Sequence, residues 1–135
     1  MRFLSLVRVT ETGQQPSQRL MNEMGVLIEE MSKSGALVST AGLKPSREGK
    51  RMQWNKGKVS TTDGPFTETK ELVAGYWIWE VASLEEAVEW LKRAPFDGGA
   101  EVELRPFITA EDFGEEFTPE LQEQEARLRA ESEQG

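Results

Sequence analysis

The sequence predicts an α+β domain: a mostly antiparallel sheet with two helices on one face and an inserted β-hairpin. Three observations lead there. Residues 2–9, 72–81 and 100–107 read as strands, the longest of them rich in aromatic and β-branched residues. Two stretches carry apolar residues at helical spacing between recognisable caps. A turn-rich stretch, residues 42–66, separates the first three elements from the long central strand.

Residues 2–9 read as a strand with Phe3, Val7 and Val9 on one face and Leu4, Leu6 and Arg8 on the other. After a loop with Gly13 and Pro16, the residues Leu20, Met24, Leu27, Ile28 and Met31 form a helical stripe that Gly35 stops. This first helix is predicted over 17–34. Residues 36–40 suit a second strand, followed by the loop Gly42-Leu43-Lys44-Pro45-Ser46. Residues 50–54 and 58–62 form the arms of a hairpin around Asn55-Lys56-Gly57. Asp63-Gly64-Pro65-Phe66 ends it, because Asp and Gly favour turn geometry and Pro cannot donate to a central ladder.

Residues 72–81 make the longest strand. In Ser83-Leu84-Glu85-Glu86, the serine can accept from the Glu86 backbone while Glu86 reaches back, a capping box. The predicted stripe of that second helix is Leu84, Ala87, Val88 and Leu91, ending near Pro95. Residues 100–107 give the last strand, and Thr118-Pro119 opens a terminal helix. The order strand, helix, strand, hairpin, long strand, helix, strand matches a ferredoxin-like layer with an inserted hairpin. Residues 1–108 form the domain; residues 109–135 form an acidic, partly helical extension.

Composition excludes several chemistries. The chain has no cysteine and no histidine, so it has no thiol nucleophile, no thiolate metal site and no ordinary neutral-pH proton shuttle. No carboxylate cluster has metal-ligand spacing, and neither metal nor cofactor is expected. The first nine residues are too short and too charged for a signal peptide, and no run nears the ~18 apolar residues of a membrane span. A cytoplasmic protein without membrane contact is expected. The net charge is −8. Nine acids against two bases lie from Thr109 onward, with fifteen against fourteen before it. A near-neutral domain with an acidic tail disfavours nucleic acid, which needs a basic surface.

The long strand is apolar on both faces, with Ala74, Tyr76 and Ile78 opposite Val73, Trp77, Trp79 and Val81. Two helices cover one face only. The other is a larger apolar patch than monomers normally expose, which predicts a self-paired, isologous dimer. The alternative cover is the terminal helix, but its apolar anchors are chiefly Leu121 and Leu128.

The run Asp63-Gly64-Pro65-Phe66-Thr67-Glu68-Thr69-Lys70-Glu71, followed by Gly75-Tyr76-Trp77, resembles the DGPF family of YCII-related proteins. Gly35-Ala36-Leu37-Val38 leading into the Gly42–Ser46 loop, and Val102-Glu103-Leu104-Arg105-Pro106, extend the resemblance over roughly residues 1–108. It implies a ferredoxin-like fold of the dimeric α/β-barrel type, with pockets near the sheet edges. It also implies a family of mostly uncharacterised function. Some relatives act on small aromatic or lactone-like compounds, and a His–Asp pair has been proposed as their active site. An association with alternative sigma factors raises a regulatory role. The family Asp corresponds to Asp63, while Lys44 stands where the Gly-Leu-His-Pro-Ser form of the loop carries histidine. That exchange replaces a proton shuttle by a fixed positive charge, which favours binding over turnover.

The candidate site residues follow. Asp63 is either a catalytic carboxylate or the residue that fixes its own turn. Lys44 is an anion contact, a desolvated base or an exposed loop lysine. Residues 44–58 hold six bases against the single acid Glu48, with Trp54 among them. Such a hairpin suits a small anion or an acidic protein segment, including the chain's own tail, in cis or across the dimer. Glu103 and Arg105 share a face of the last strand, lining a pocket or pairing with each other. Trp77 and Trp79 are either ligand-stacking residues or, more in keeping with buried aromatics, dimer core. The leading reading is a small-molecule-binding dimer. The alternatives are a regulatory interaction module and an isomerase- or lyase-like enzyme using Asp63 with Lys44.

Overall fold

The structure, a computed structural model, describes residues 1–13, 15–66 and 72–134. Six strands and three α-helices follow in order: β1 (Arg2–Arg8), α1 (Gln18–Ser34), β2 (Leu37–Gly42), β3 (Lys50–Asn55), β4 (Lys58–Asp63), β5 (Val73–Glu80), α2 (Leu84–Leu91), β6 (Glu101–Pro106) and α3 (Pro119–Gln134). Four strands form one sheet in the order β2-β5-β1-β6, all neighbours antiparallel, and β3 pairs with β4 as a separate hairpin. This is the ferredoxin-like α+β arrangement, with the hairpin inserted between β2 and β5 as expected. The residues Thr67, Glu68, Thr69, Lys70 and Glu71 of the motif run lie outside those described.

Burial alternates strictly along β1, where Phe3, Ser5 and Val7 are buried and Leu4, Leu6 and Arg8 are half-buried. The same period runs along β5, with Gly75, Trp77 and Trp79 buried between less buried neighbours. The core therefore lies on the side of Phe3, Trp77 and Trp79, where Leu27 and Met31 of α1 and Ala87 of α2 close over them. Trp77 meets Trp79 edge-on, with ring centroids 5.4 Å apart. The one polar side chain in this core, Ser5, accepts a 2.6 Å hydrogen bond from Trp79 Nε1, so neither group is left unsatisfied where that would be costly.

Local signals explain the helix ends. Ser17 caps α1 by accepting from Leu20 N, and Gly35 ends it at φ 83°, a left-handed conformation that glycine takes without strain. Ser83 accepts from Glu86 N as predicted, while the Glu86 carboxylate reaches one residue further back, to Ala82 N. The stripe of α2 is rotated from the predicted one. Ala87, Trp90 and Leu91 pack on the core, whereas Leu84 and Val88 are exposed. The short apolar period of an eight-residue helix is satisfied by either set, and Trp90 is the larger group to hide.

Among the described residues, no helical layer covers the opposite sheet face. Leu4 stands beside Ile78, and Leu6 beside Tyr76, in the β1–β5 register. The terminal helix leaves this face open: every side chain described from Pro119 to Glu133 is exposed, Leu121 and Leu128 included. The helix is moored at the sheet's far end, where Arg2 bonds both Glu80 and Glu133 and the Arg129 guanidinium lies over Phe107. Among the described residues, no helix is long and apolar enough to cross a membrane.

Candidate functional site

A cleft near the motif lies at the end of the sheet where β1 and β2 finish and β5 begins. Its cavity volume is about 420 Å³, and its walls include Glu11, Lys44, Ser46, Arg51, Phe66 and Val73. Three chain segments that are distant in sequence meet here. The Glu11 carboxylate, just beyond β1, accepts from Ser46 N at 2.6 Å and from Ser46 Oγ at 2.8 Å. Ser46 Oγ in turn accepts from Phe66 N at 3.2 Å. One serine thus ties the first loop, the β2–β3 loop and the Asp-Gly-Pro-Phe turn together.

The turn packs tightly. Gly64 N donates to Gly49 O at 3.0 Å, and the peptide bond from Gly64 to Pro65 is cis. A Cβ on Gly64 would fall 1.8 Å from Ser46 O, so only glycine fits. The requirement is close approach of two backbones, not an unusual φ. Phe66 then presents its ring to Arg51, whose guanidinium carbon lies 4.0 Å from the centroid. An arginine set over a phenyl ring gives the cleft a wall that is at once cationic and aromatic.

The predicted candidates distribute unevenly around this cleft. Lys44 is on its rim, its side chain 82% exposed and its Nζ 3.8 Å from Glu48. Asp63 ends β4, is 76% exposed, and forms a 2.5 Å ion pair with Lys50 across the hairpin. The structure therefore gives Asp63 and Lys44 separate ionic partners, Lys50 and Glu48.

The tryptophans diverge too. Trp77 and Trp79, anticipated as dimer core or as a stacking platform, instead face the helices inside the subunit, Trp79 with 0% exposure. The strand's own alternation decides this: the open face receives Tyr76 and Ile78. Trp54 stands on the hairpin with 71% exposure. Glu103 and Arg105 lie on the open face opposite Leu6 and Leu4, 3.8 Å from each other, and Glu103 also bonds Arg8 at 3.1 Å. They are the ion pair that the strand geometry allowed, with Arg8 as an additional member. The Arg8 Nε is buried without a hydrogen-bond partner.

Sequence reasoning missed Glu11, Ser46, Arg51 and Phe66 as a group. Ser46 and Phe66 were visible within the motifs, and Arg51 within the basic run. Nothing in the sequence marks Glu11, because its partner is 35 positions away. Among the described residues no group of three acids is placed to hold a metal ion.

A sequence model of the YCII-related domain matches residues 1–108, a stretch that contains the whole cleft and all four strands of the sheet. An uncharacterized protein of Rhizobium meliloti (strain 1021) is 28% identical over 80 residues, which is 59% of this chain. The chain spans 64% of that relative's length.

Proposed function

Because this chain belongs to the YCII-related domain family, we propose that it is a small-molecule-binding protein that works as a two-fold dimer. The ligand is a small anionic or aromatic compound, and binding dominates over turnover. The single observation that carries this reading is the Arg51–Phe66 stack beside Lys44 on one cleft. A planar carboxylate can bond the arginine fork while its ring meets the phenyl edge. No histidine is available to move a proton, and Asp63 and Lys44 are each occupied by other charges. The isomerase- or lyase-like alternative asks those two groups to cooperate.

The dimer reading rests on the open face. Leu4, Leu6, Tyr76 and Ile78 form an apolar strip that neither helix layer nor α3 covers. A second copy of the same face is the self-complementary cover. The exposed basic hairpin supports a second reading, a module that docks an acidic protein segment.

A thermal-shift screen with aromatic acids, lactones and small anions tests the proposal on wild type, Arg51→Ala and Asp63→Ala. A ligand at about one hundred times its Kd adds roughly 2.7 kcal/mol of stability, several degrees in Tm for a domain of this size. The expected outcome is a shift in wild type and Asp63→Ala that vanishes in Arg51→Ala. A shift lost only with Asp63 would return the weight to catalysis. Indifference of all three proteins would favour the interaction module.

A further inference from the structure

The hairpin β3–β4 is held only at its root. Every residue of both strands is exposed, although an isolated two-stranded hairpin is at best marginally stable in water. One of its faces is apolar: Trp54 pairs with Val59, and Met52 lies two residues along on the same side. All three are more than half exposed. Lys56 and Lys58 flank them at the tip.

At the other end of the molecule is a surface of opposite character. The segment after β6 and the inner side of α3 enclose a groove of about 500 Å³ lined by Ile108, Phe113, Phe117, Ala126 and Ala130. Phe113 and Phe117 meet at a tilt of 45° in its lining, with ring centroids 4.7 Å apart. Its lining is mostly apolar, with Glu125 paired to Arg129 and Glu133 paired to Arg2 along it, and it is carried by the segment with nine acids and two bases. The basic hairpin and the acidic segment that carries the groove leave the sheet at opposite ends of β5, roughly 25 Å apart by strand rise, and within one subunit Trp54 is 71% exposed.

We propose that the hairpin of one copy seats its Trp54 face in the groove between α3 and the Ile108–Phe117 segment of a second copy. This rests on the dimer reading above and fixes its geometry. Two sheets can face each other about a two-fold axis parallel to their strands or perpendicular to them. The parallel axis juxtaposes two basic hairpins and two acidic tails. The perpendicular axis brings each hairpin end over its partner's tail, so opposite charges meet twice and the indole has an apolar seat. An indole buries roughly 150–250 Å² in such a seat, enough to be an anchor. The ligand cleft at the hairpin root then lies next to the partner's tail.

The cysteine-free chain makes a direct test clean. Two differently tagged copies of the full chain are coexpressed, one carrying Val59→Cys and the other Ala126→Cys, and are then oxidised. A disulfide-linked pair containing both tags is expected, and it should be at least tenfold scarcer when both copies carry the same substitution. Separately, Trp54→Ala should raise the dimer dissociation constant about tenfold at low salt, as sedimentation reads it. A dimer that forms no mixed-tag disulfide overturns this docking and leaves the face-to-face dimer standing. An intramolecular disulfide in the Val59→Cys/Ala126→Cys double variant also overturns it. A lone 15 kDa particle at micromolar concentration would sink both.

Discussion

The four-stranded sheet and the two-stranded hairpin are built from strands of similar length, six to eight residues against six. What secures them differs. The sheet is fixed by side chains: Phe3, Trp77, Trp79, Leu27 and Met31 leave the water together, and one buried hydrogen bond between Ser5 and Trp79 sets the indole's orientation. The hairpin buries nothing of its own. It is fixed at its root by backbone fit and by polar ties, Gly64 against Ser46 and Gly49, and Ser46 between Glu11 and Phe66. A hydrophobic core gives stability without needing any particular residue at a turn. A polar root gives position, and it does so beside the cleft, where position matters most.

The sharpest way to break this contrast is to attack the sheet first. Trp79→Ala should cost about 3–5 kcal/mol, by lost burial and by stranding the Ser5 hydroxyl, and urea unfolding will read it as a lowered midpoint. Gly64→Ala comes next, at about 1–3 kcal/mol from forcing two backbones apart. Its mark should be local. Amide exchange should accelerate in residues 50–63 before it changes in β1 or β5. Ser46→Ala should cost about 1 kcal/mol, and it should weaken ligand-induced shifts more than it lowers Tm, because the cleft loses its shared anchor. If exchange in Gly64→Ala instead rises uniformly, the hairpin and the sheet unfold as one unit and the distinction fails.

The smallest effect belongs to pH. The Arg2 guanidinium holds the Glu80 carboxyl below its ordinary value, helped by the N-terminal ammonium group. A depressed folded-state value stabilises above the unfolded one, so the contribution is fully present above roughly pH 5 and fades as pH falls through the glutamate range near 4.3 and below. Because Glu80 is about half exposed, solvent screens most of this. Glu80→Gln should therefore flatten the acid limb of stability only slightly, without altering the midpoint at pH 7 by more than about 0.5 kcal/mol.

How much of this was legible in the sequence depends on how far apart the deciding residues lie. Face patterning for β1, helical spacing for α1, aromatic and β-branched content for β5 and the Asn55-Lys56-Gly57 turn for the hairpin placed each within a residue or two, since each is encoded within its own segment. The Ser83 cap and the Gly35 stop were equally local. The stripe of α2 was misjudged because eight residues leave the choice of buried face to neighbours that the sequence does not identify. Trp77 and Trp79 were correctly set on one face of β5, but no local signal says which face the helices take. The cleft was the least legible. Asp63 and Lys44 stood out by motif, yet the clustering of Glu11, Ser46, Arg51 and Phe66 comes from loop packing.

The uneven placement of the indoles equips the chain with its own optical reporters. Trp77 and Trp79 meet edge to face within the core, close enough for their transitions to couple and give a paired circular-dichroism band that should disappear when the helices lift off. Trp54, 71% exposed on the hairpin of the single subunit, is the indole placed to respond to whatever settles upon it, a partner copy included. The difference between wild-type and Trp54→Phe emission therefore separates occupancy at the periphery from melting of the interior, to which Trp90 also reports.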